Sequence, residues 1–423
     1  MSVSNCMNVI VLDGNENQAV AAVRSLARAG HRVVLGSDTS WSKAGWSRGA
    51  GHTFQYPSPQ MAMDQFIERL IIEVRRHAPA LVLPMTERTT LPISSRREEI
   101  IRAGGLLVLP PHETVLMAFD KQATTALAQR LGIVVPETVL ISNRSEAEAF
   151  AERNSFPIVL KPRSSEEISS NGRVLATGAP TYAKSADEFL SAFNGMMHRC
   201  SSVLAQEFVA GSGAGYFALM KDGELRAEFA HRRLRDVRPT GSGSAVRESV
   251  LPDPQLRDAA LSILTALRWH GVAMVEFRQR ADGTPVFLEV NGRFWNSLPL
   301  SVYAGVDFPL LMAKIAETGD VFFSGGYKVG IRCRWLLGDF RHLIEVWRGA
   351  PEGYPGKFPP RLRTLSSFLM PVRGTFHDNF IWNDPLPEIG DWMDFFLRKL
   401  PSRLRNRSTD PEFIDAQGRY SLS

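Results

Sequence analysis

The stretch Phe287-Leu288-Glu289-Val290-Asn291-Gly292-Arg293 sets acidic, amide and basic side chains at alternate positions of an apolar segment. Glu289 and Asn291 are two residues apart, so both project from the same face of a strand. Carboxylate and amide oxygens are the hard ligands that Mg²⁺ prefers, and Arg293 can bind a phosphoryl oxygen through two N–H groups. The stretch therefore predicts a magnesium and phosphate site on a β-strand.

A second apolar segment, residues 272–277, precedes this strand. The turn Ala281-Asp282-Gly283-Thr284 separates the two segments, and this spacing is typical of a β-hairpin. Antiparallel pairing can bring Glu276 close to Glu289, and two neighbouring carboxylates repel each other unless a cation balances them. We therefore predict Glu276, Glu289 and Asn291 as metal ligands. The alternative is a solvated hairpin whose acids pair with nearby arginines.

Composition limits the class of protein. The chain has 423 residues, 44% hydrophobic and 22% charged, which is ordinary for a globular protein of two or three domains. Its formal charge of +5 suits an anionic ligand but is too small to indicate nucleic acid binding. Its three scattered cysteines form neither a metal-ligand spacing nor a disulfide framework. Without a signal peptide or membrane-length apolar run, we expect a cytoplasmic protein.

The first hundred residues alternate apolar strands with amphipathic helices. We predict strands at 9–12, 31–35 and 80–84 and helices at 17–29 and 63–77. Such units are typical of a parallel sheet with right-handed crossovers. The loop after the first strand holds a single glycine, whereas a dinucleotide fingerprint needs several. We interpret this region as a structural Rossmann-like domain without a nicotinamide cofactor.

With these motifs the chain resembles the ATP-grasp superfamily, whose members carry an E-F strand followed by an E-x-N-x-R strand. Phe119-Asp120-Lys121 matches the family's D-K element, and Pro157-Ile158-Val159-Leu160-Lys161-Pro162 matches its P-x-V-x-K-P strand. Gln206-Glu207-Phe208-Val209 matches its Q-E-[FY]-[IV] hinge. The resemblance extends over about residues 5–320. It implies an α+β fold of two subdomains that clamp ATP.

The resemblance also implies a role for each matching residue. Lys121 would contact a phosphate, and Lys161 would contact the α-phosphate and the adenine edge. Glu207 and the backbone around Phe208 and Val209 would bind the adenine amino group. The implied cofactors are ATP and Mg²⁺, with two ions expected and Mn²⁺ as a substitute.

Two features depart from the family pattern. The loop at residues 163–172, which the family usually builds from glycines, has a single glycine at its end. Gly211, Ser212 and Gly213 stand where many relatives carry an acid directed at the ribose. How the ribose is bound is therefore left open.

A basic run at residues 231–244 is the candidate substrate region. Its cations, followed by a Gly/Ser loop whose amides can face an anion, favour a carboxylate or acyl-phosphate pocket beside the γ-phosphate. Arg233 and Arg247 join Arg293 as catalytic candidates, and Asn296 and Ser297 are further candidates for substrate contact. The alternative is a solvated basic loop.

The chemistry implied by the resemblance is formation of an acyl phosphate from ATP and a carboxylate, followed by attack of an amine. The protein would then be a carboxylate–amine ligase with small-molecule acid and amine substrates. A kinase or a carboxylating enzyme on the same fold is the alternative among enzymes. A non-catalytic ATP-binding regulatory or scaffold protein is the alternative from another class.

We predict three regions: a Rossmann-like pre-ATP-grasp domain at residues 1–112, an ATP-grasp domain at 113–323 and a C-terminal extension at 324–423. The flexible lid is expected at about 140–210. In the extension, an apolar stripe from Ile389 to Leu400 recurs at helical spacing beside basic residues. We expect the stripe to pack against its own domain, with contact to a membrane or a lipid-linked substrate as the alternative. A homodimer is left open.

Overall fold

The computed structural model describes residues 6–168, 174–178, 180–323, 325–351, 354, 356–370 and 372–397. Part of the predicted lid loop, residues 169–173, lies outside the described residues, as do Leu400 and the basic positions around it. The described residues form a five-stranded parallel sheet, a four-stranded antiparallel sheet, a seven-stranded mostly antiparallel sheet and a two-stranded ribbon, with helices. The predicted combination of α/β and α+β folds is confirmed.

The N-terminal part forms a five-stranded parallel sheet of order β3-β2-β1-β4-β5. Alternate residues of its central strand face opposite layers: Val9 and Val11 join the core around α1, whereas Ile10 and Leu12 join the core around α2. Both predicted helices are observed within one residue of their bounds. The elements are β1 (Asn8–Val11), α1 (Asn17–Arg28), β2 (Arg32–Ser37), β3 (His52–Gln55), α2 (Met63–His77), β4 (Ala80–Leu83), α3 (Glu87–Ser95), α4 (Arg97–Arg102) and β5 (Gly105–Leu106).

Two linking helices lead into a four-stranded antiparallel sheet of order β10-β7-β11-β6, which packs against α7 and α8. A separate two-stranded ribbon, β8-β9, rises from the loop after β7. The elements are α5 (His112–Phe119), α6 (Lys121–Arg130), β6 (Thr138–Ile141), α7 (Arg144–Arg153), β7 (Ile158–Pro162), β8 (Glu166–Ile168), β9 (Val174–Ala176), β10 (Thr181–Ala183), α8 (Ala186–Met197) and β11 (Val203–Glu207).

The largest sheet has seven strands in the order β16-β15-β12-β13-β14-β17-β18. Its last two strands come from beyond residue 323, so the C-terminal region adds to the central sheet; the domain boundaries stay predictions. The elements are β12 (Ser212–Lys221), β13 (Glu224–Arg238), β14 (Ser242–Val250), α9 (Pro254–Ala266), β15 (Gly271–Gln279), β16 (Pro285–Asn291), α10 (Leu298–Ala304), α11 (Phe308–Thr318), β17 (Arg332–Arg334), α12 (Leu336–Arg348), α13 (Arg361–Leu369), β18 (Phe376–His377) and α14 (Leu386–Leu397).

The apolar stripe of α14 packs as expected only in part: the ring of Trp392 lies against Phe340 of α12, with centroids 5.2 Å apart. The side chains of Ile389 and Phe396 are 48% and 56% exposed. The buried face of the helix is polar instead, because Asp391 accepts hydrogen bonds from Lys43 at 2.9 Å and from the Trp335 indole at 2.6 Å. The expectation that the stripe packs against its own domain is therefore wrong for these two residues. Among the described helices, none alone has the length and apolarity to span a bilayer. Only α10 and α11 taken together reach that length and apolarity, and they are bent by 83° relative to each other.

A tight contact fixes the chain directly after the strand that carries Glu289 and Asn291. A Cβ atom added to Gly292 would lie 2.3 Å from the Trp269 Cη2 atom and 2.6 Å from its Cζ2 atom. Trp269 is fully buried and donates its indole N–H to the Val272 carbonyl at 3.1 Å. The ring therefore has no room to retreat, and only glycine fits between Asn291 and Arg293.

We expect Gly292→Ala to lower the free energy of unfolding by about 1–3 kcal/mol, because the new methyl group overpacks the core against Trp269. Urea denaturation measures the change. Phe lacks the two clashing ring atoms, so Gly292→Ala combined with Trp269→Phe should cost less than the sum of the single changes. Gly195→Ala on α8 is the control: nothing lies within 4 Å of the added Cβ, and it should not destabilise. Additive single effects would contradict the overpacking explanation.

Candidate phosphate and metal site

The two predicted acidic residues meet across the β15–β16 hairpin. Glu276 is the direct partner of Glu289 in the antiparallel register. A bulge follows immediately, so that Phe277 pairs with Phe287 and Leu288 has no partner. The extra residue resets the alternation of β16, and both Phe287 and Val290 can face the core while Glu289 faces the opposite side. The hairpin thus holds its acids together by burying apolar residues behind them.

Cations from two other elements surround Glu289. The Lys121 ammonium, at the start of α6, lies 3.4 Å from its carboxylate. Arg293 donates to the Asn291 side-chain oxygen at 2.8 Å, which sets the guanidinium beside the same strand. Burial alone would raise the pKa of Glu289, but the charges of Lys121, Lys161 and Arg293 outweigh burial and hold that pKa below its usual range. Glu289 is therefore ionised at neutral pH.

Lys161 approaches the cluster from the four-stranded sheet. It lies on β7, and its ammonium donates to the Gln206 side-chain oxygen on neighbouring β11 at 2.6 Å. Burial lowers the pKa of Lys161 to about 8, although the charges of Glu289 and Glu276 oppose that shift. An anion that binds beside Lys161 would favour the charged form of the lysine and so raise this pKa.

The donor set fits a magnesium ion. Glu276, Glu289 and Asn291 supply carboxylate and amide oxygens on adjacent register positions of one hairpin. The Asn291 amide lies 3.5 Å from Glu289, and each carboxylate is held by a cation rather than by a hydrogen bond to the other. Such hard oxygen ligands, together with phosphate oxygens, are those that complete an octahedral Mg²⁺ site.

Arg233 also reaches this hairpin. Its guanidinium, on β13, donates to the Glu276 carboxylate at 2.8 Å and lies 3.7 Å from Asp236. Its Nε atom is buried and has no hydrogen-bond partner among the described residues. Of the predicted catalytic arginines, Arg233 and Arg293 therefore contact the predicted metal ligands.

Arg247 does not join them. Its side chain is fully buried on β14, where it forms an ion pair at 2.5 Å with Asp378 of the C-terminal region. It also donates to the Ser244 carbonyl at 3.1 Å. The carboxylate that pairs with Arg247 thus belongs to the protein and not to a substrate. The geometry assigns Arg247 a packing role between the central sheet and the C-terminal region.

The predicted hinge lies at the end of β11. The backbone N–H of Glu207 donates to the Glu137 carbonyl at 2.8 Å, and the Glu207 carboxylate lies 3.5 Å from Arg280. Phe208 meets Tyr182 and Tyr354 edge-on, with ring centroids 6.0 and 6.4 Å away. A cavity of about 690 Å³ opens here, lined by Glu207, Phe208, Val209, Ala210, Gly211, Ser212, Gln279, Arg280, Ala281 and Asp282. Gln206, which contacts Lys161 of the phosphate cluster, directly precedes the first residue that lines this cavity, Glu207.

Sequence reasoning missed Glu87. It is the first residue of α3, directly after β4 of the N-terminal sheet, and its carboxylate lies 3.7 Å from Arg293. Burial raises its pKa, while the charges of Arg293 and Lys121 oppose the shift. Its position just past the carboxyl end of a parallel strand is the signal that could have identified it.

A second missed group joins the N-terminal sheet to the lid ribbon. Arg88 lies 3.6 Å from Glu16 and 4.0 Å from Asp38. Glu166, the first residue of β8, accepts a hydrogen bond from Gln60 at 3.3 Å. Burial raises the pKa of Glu166 to about 7, against the lowering effect of Arg88. The ribbon thus meets the N-terminal domain through a carboxyl group that titrates near neutrality.

Ser297, a candidate for substrate contact, is buried. Its hydroxyl lies 2.8 Å from the Nε2 atom of His231. Burial, with help from the charges of Arg233 and Arg247, holds the pKa of His231 well below its usual range. The imidazole is therefore neutral, and it holds the Ser297 hydroxyl inside the protein.

Comparison with known proteins agrees with these motifs. Residues 205–336 match a family model described as ATP-grasp in the biosynthetic pathway with Ter operon. The phosphoribosylamine–glycine ligase of Ralstonia nicotianae is 26% identical over 225 residues, which cover 48% of this chain and 51% of that protein. The carbamoyl phosphate synthase large chain of Rubrobacter xylanophilus is 25% identical over 314 residues, covering 70% of this chain and 28% of that protein. The chain thus spans about half the length of these curated relatives, or less.

Solved structures are similar over most of the chain. An L-amino acid ligase from Bacillus licheniformis has a TM-score of 0.56 at 16% identity, covering 74% of this chain and 75% of that one. The biotin carboxylase domain of a 2-oxoglutarate carboxylase from Hydrogenobacter thermophilus, solved with MgADP and bicarbonate, has a TM-score of 0.59 at 14% identity, covering 78% and 74%. At such identities the likeness establishes the fold. The ATP-grasp family match over residues 205–336 and this fold agree with the ordered motifs, which makes the chain similar to ATP-grasp proteins.

Proposed function

We propose that this protein is a carboxylate–amine ligase that uses ATP and Mg²⁺. The observation that carries the proposal is the convergence of Lys121, Lys161 and Arg293 on the paired acids of one hairpin. This arrangement offers cations to phosphate oxygens and carboxylates to a metal ion at the same place. The hinge cavity beside Phe208 is the proposed adenine site.

The chain's own residues would position and neutralise the nucleotide. Lys121 and Lys161 would hold phosphate oxygens, and Arg293 would bind the γ-phosphoryl group. Bound at Glu276, Glu289 and Asn291, Mg²⁺ would disperse the charge that develops on the phosphoryl oxygens. We predict two ions, with Mn²⁺ as a substitute. Arg233, already paired with Glu276, would face the carboxylate substrate.

The proposed reaction has two steps. A carboxylate oxygen of the substrate attacks the γ-phosphorus, and the bond to the β–γ bridging oxygen breaks, releasing ADP and giving an acyl phosphate. The amine nitrogen then attacks the acyl carbon, a proton leaves the nitrogen, and inorganic phosphate departs. Positioning and charge neutralisation supply the catalysis, so no side chain has to act as a nucleophile.

Two similar proteins support this reaction class. The names of the Ralstonia and Bacillus proteins describe enzymes that join an amine or an amino acid in a ligation. The relative solved with bicarbonate supports a carboxylating reaction as the alternative on the same fold. The ligation and the carboxylation differ in the molecule that receives the activated group, and product analysis can distinguish them.

Product analysis is the first test. With ATP, Mg²⁺ and mixtures of candidate acids and amines, we expect ADP, phosphate and a product whose mass equals acid plus amine minus water. Liquid chromatography with mass spectrometry measures it. A stable phosphorylated product formed without an amine would identify a kinase instead. Product formation that requires bicarbonate would identify a carboxylating enzyme.

Glu289→Gln tests the metal site, since it removes the ligand charge with little change in shape. We expect turnover to fall by about 100-fold or more, as for loss of a major electrostatic contact in an active site. ATP binding, measured by calorimetry with and without Mg²⁺, should lose its dependence on the metal. Glu152→Gln, at an exposed position of α7, is the matched control and should retain both properties. Unchanged turnover in Glu289→Gln would refute the assignment.

The pKa of Lys161, lowered to about 8 by burial, predicts how nucleotide binding depends on pH. Below about pH 8 the ammonium is charged and attracts phosphate; above it the amine is neutral and the attraction is lost. The Kd of Mg·ATP should therefore be flat below pH 8 and rise up to about tenfold per pH unit above it. Lys161→Arg should remove the rise, whereas Lys161→Met should weaken binding throughout. A wild-type Kd that stays flat to about pH 9.5 would contradict the prediction.

A further inference from the structure

Two histidines and a glutamate meet on the N-terminal sheet, far in the fold from the phosphate cluster. His52 begins the edge strand β3, while Glu73 and His77 lie one turn apart on α2. Asn8, which begins β1, donates to the His77 carbonyl at 2.8 Å. In a parallel sheet all strands start at one edge, so this group lies at the amino edge. Glu87 and the proposed nucleotide site lie at the carboxyl edge.

The distances within the group fit three atoms that bind one metal ion better than they fit hydrogen bonds between those atoms. The Nε2 atoms of His52 and His77 lie 3.7 and 3.6 Å from the same oxygen, Oε2 of Glu73. All three ligand atoms fall within 4.8 Å of one another. Separations of 3.6–3.7 Å are too long for hydrogen bonds. Ligand atoms bound to one tetrahedral zinc ion at about 2.0–2.2 Å stand roughly 3.3 Å apart, so a small closure would complete the site.

The buried atoms of this group lack other partners. The Glu73 side chain is fully buried, and its Oε2 atom has no hydrogen-bond partner among the described residues. The same holds for the Nε2 atom of His77. A buried carboxylate oxygen and a buried imidazole nitrogen facing each other without a bond is an unfavourable arrangement unless a proton or a metal ion joins them.

Two arginines prepare the carboxylate for one specific ligand geometry. Arg69 and Arg76 lie 2.8 and 2.9 Å from Oε1 of Glu73, one turn before and after it on α2. They occupy one oxygen, fix the plane of the carboxylate and leave the other oxygen toward the histidines. Second-shell contacts of this kind orient metal ligands.

We propose that His52 Nε2, His77 Nε2 and Glu73 Oε2 bind one Zn²⁺ ion. The His52 side chain is 46% exposed, which gives the ion a route of entry and leaves room for water as a fourth ligand. The ion would fasten the edge strand β3 to α2. The positive charges of the two neighbouring arginines oppose a cation that is held by electrostatic attraction alone. The imidazole nitrogen ligands favour Zn²⁺ over Mg²⁺. The proposal is independent of the ligase activity.

The test is a Zn²⁺ titration of the purified full chain against a chromophoric chelator, with Mg²⁺ in excess to cover the oxygen site of β16. We expect one equivalent to bind. His52→Ala and His77→Ala should each weaken binding by about tenfold or more, since each removes one of three ligands. His198→Ala, at an exposed position after α8, is the matched control and should bind as the wild type does. Glu289→Gln should also bind normally, which separates this site from the proposed nucleotide site.

Thermal unfolding provides a second readout. Zn²⁺ should raise the Tm of the wild type and of His198→Ala, but not that of His52→Ala. His52 is half exposed, so its removal should leave the fold intact and keep the comparison valid even if His77→Ala fails to fold. Equal zinc affinity in the wild type and His52→Ala, or the absence of saturable binding, would overturn the proposal.

Discussion

The balance of charge on the β15–β16 hairpin is the constraint on which the rest of the site depends. Glu276 and Glu289 are direct register partners, and two adjacent carboxylates cannot both stay ionised without compensation. The two carboxylates cannot turn away from each other, because the bulge at Leu288 places the neighbouring side chains in the core. Compensation must therefore come from other elements. It is supplied by Lys121 of α6, Lys161 of β7, Arg233 of β13 and Arg293 after β16.

That requirement explains how the sheets and helices are arranged around the hairpin. Each cation comes from a different part of the chain, so the cluster draws on both the four-stranded sheet, through Lys161, and the seven-stranded sheet, through Arg233. The four cations and the paired acids together suit a polyanion that carries a metal ion. A metal-bound nucleoside triphosphate would add phosphate charge to the lysines and a cation to the acids, which relieves both kinds of repulsion at once.

The sequence could predict the parts of the site that depend on short-range pattern. Alternation along β16 identified Glu289 and Asn291, and a four-residue turn identified Glu276 as their neighbour. The structure separates Arg247 from the other two candidate arginines by pairing it with Asp378, which is 131 residues away and follows β18, and no local pattern marks that pair. For the exposed residues Ile389 and Phe396 of α14 the expectation is wrong, because helical spacing shows that a face is apolar but not which face a distant partner covers. Here Lys43 binds the polar face.

The N-terminal domain is part of the site rather than a spacer in front of it. The two residues that open α3 point to two different partners: Glu87 to Arg293 of the phosphate cluster, and Arg88 to the acids Glu16 and Asp38. The charge of Arg88 also acts on Glu166 of the lid ribbon. Two adjacent residues at the carboxyl edge of the parallel sheet thus contact different acidic and basic groups, and no sequence motif marks either of them.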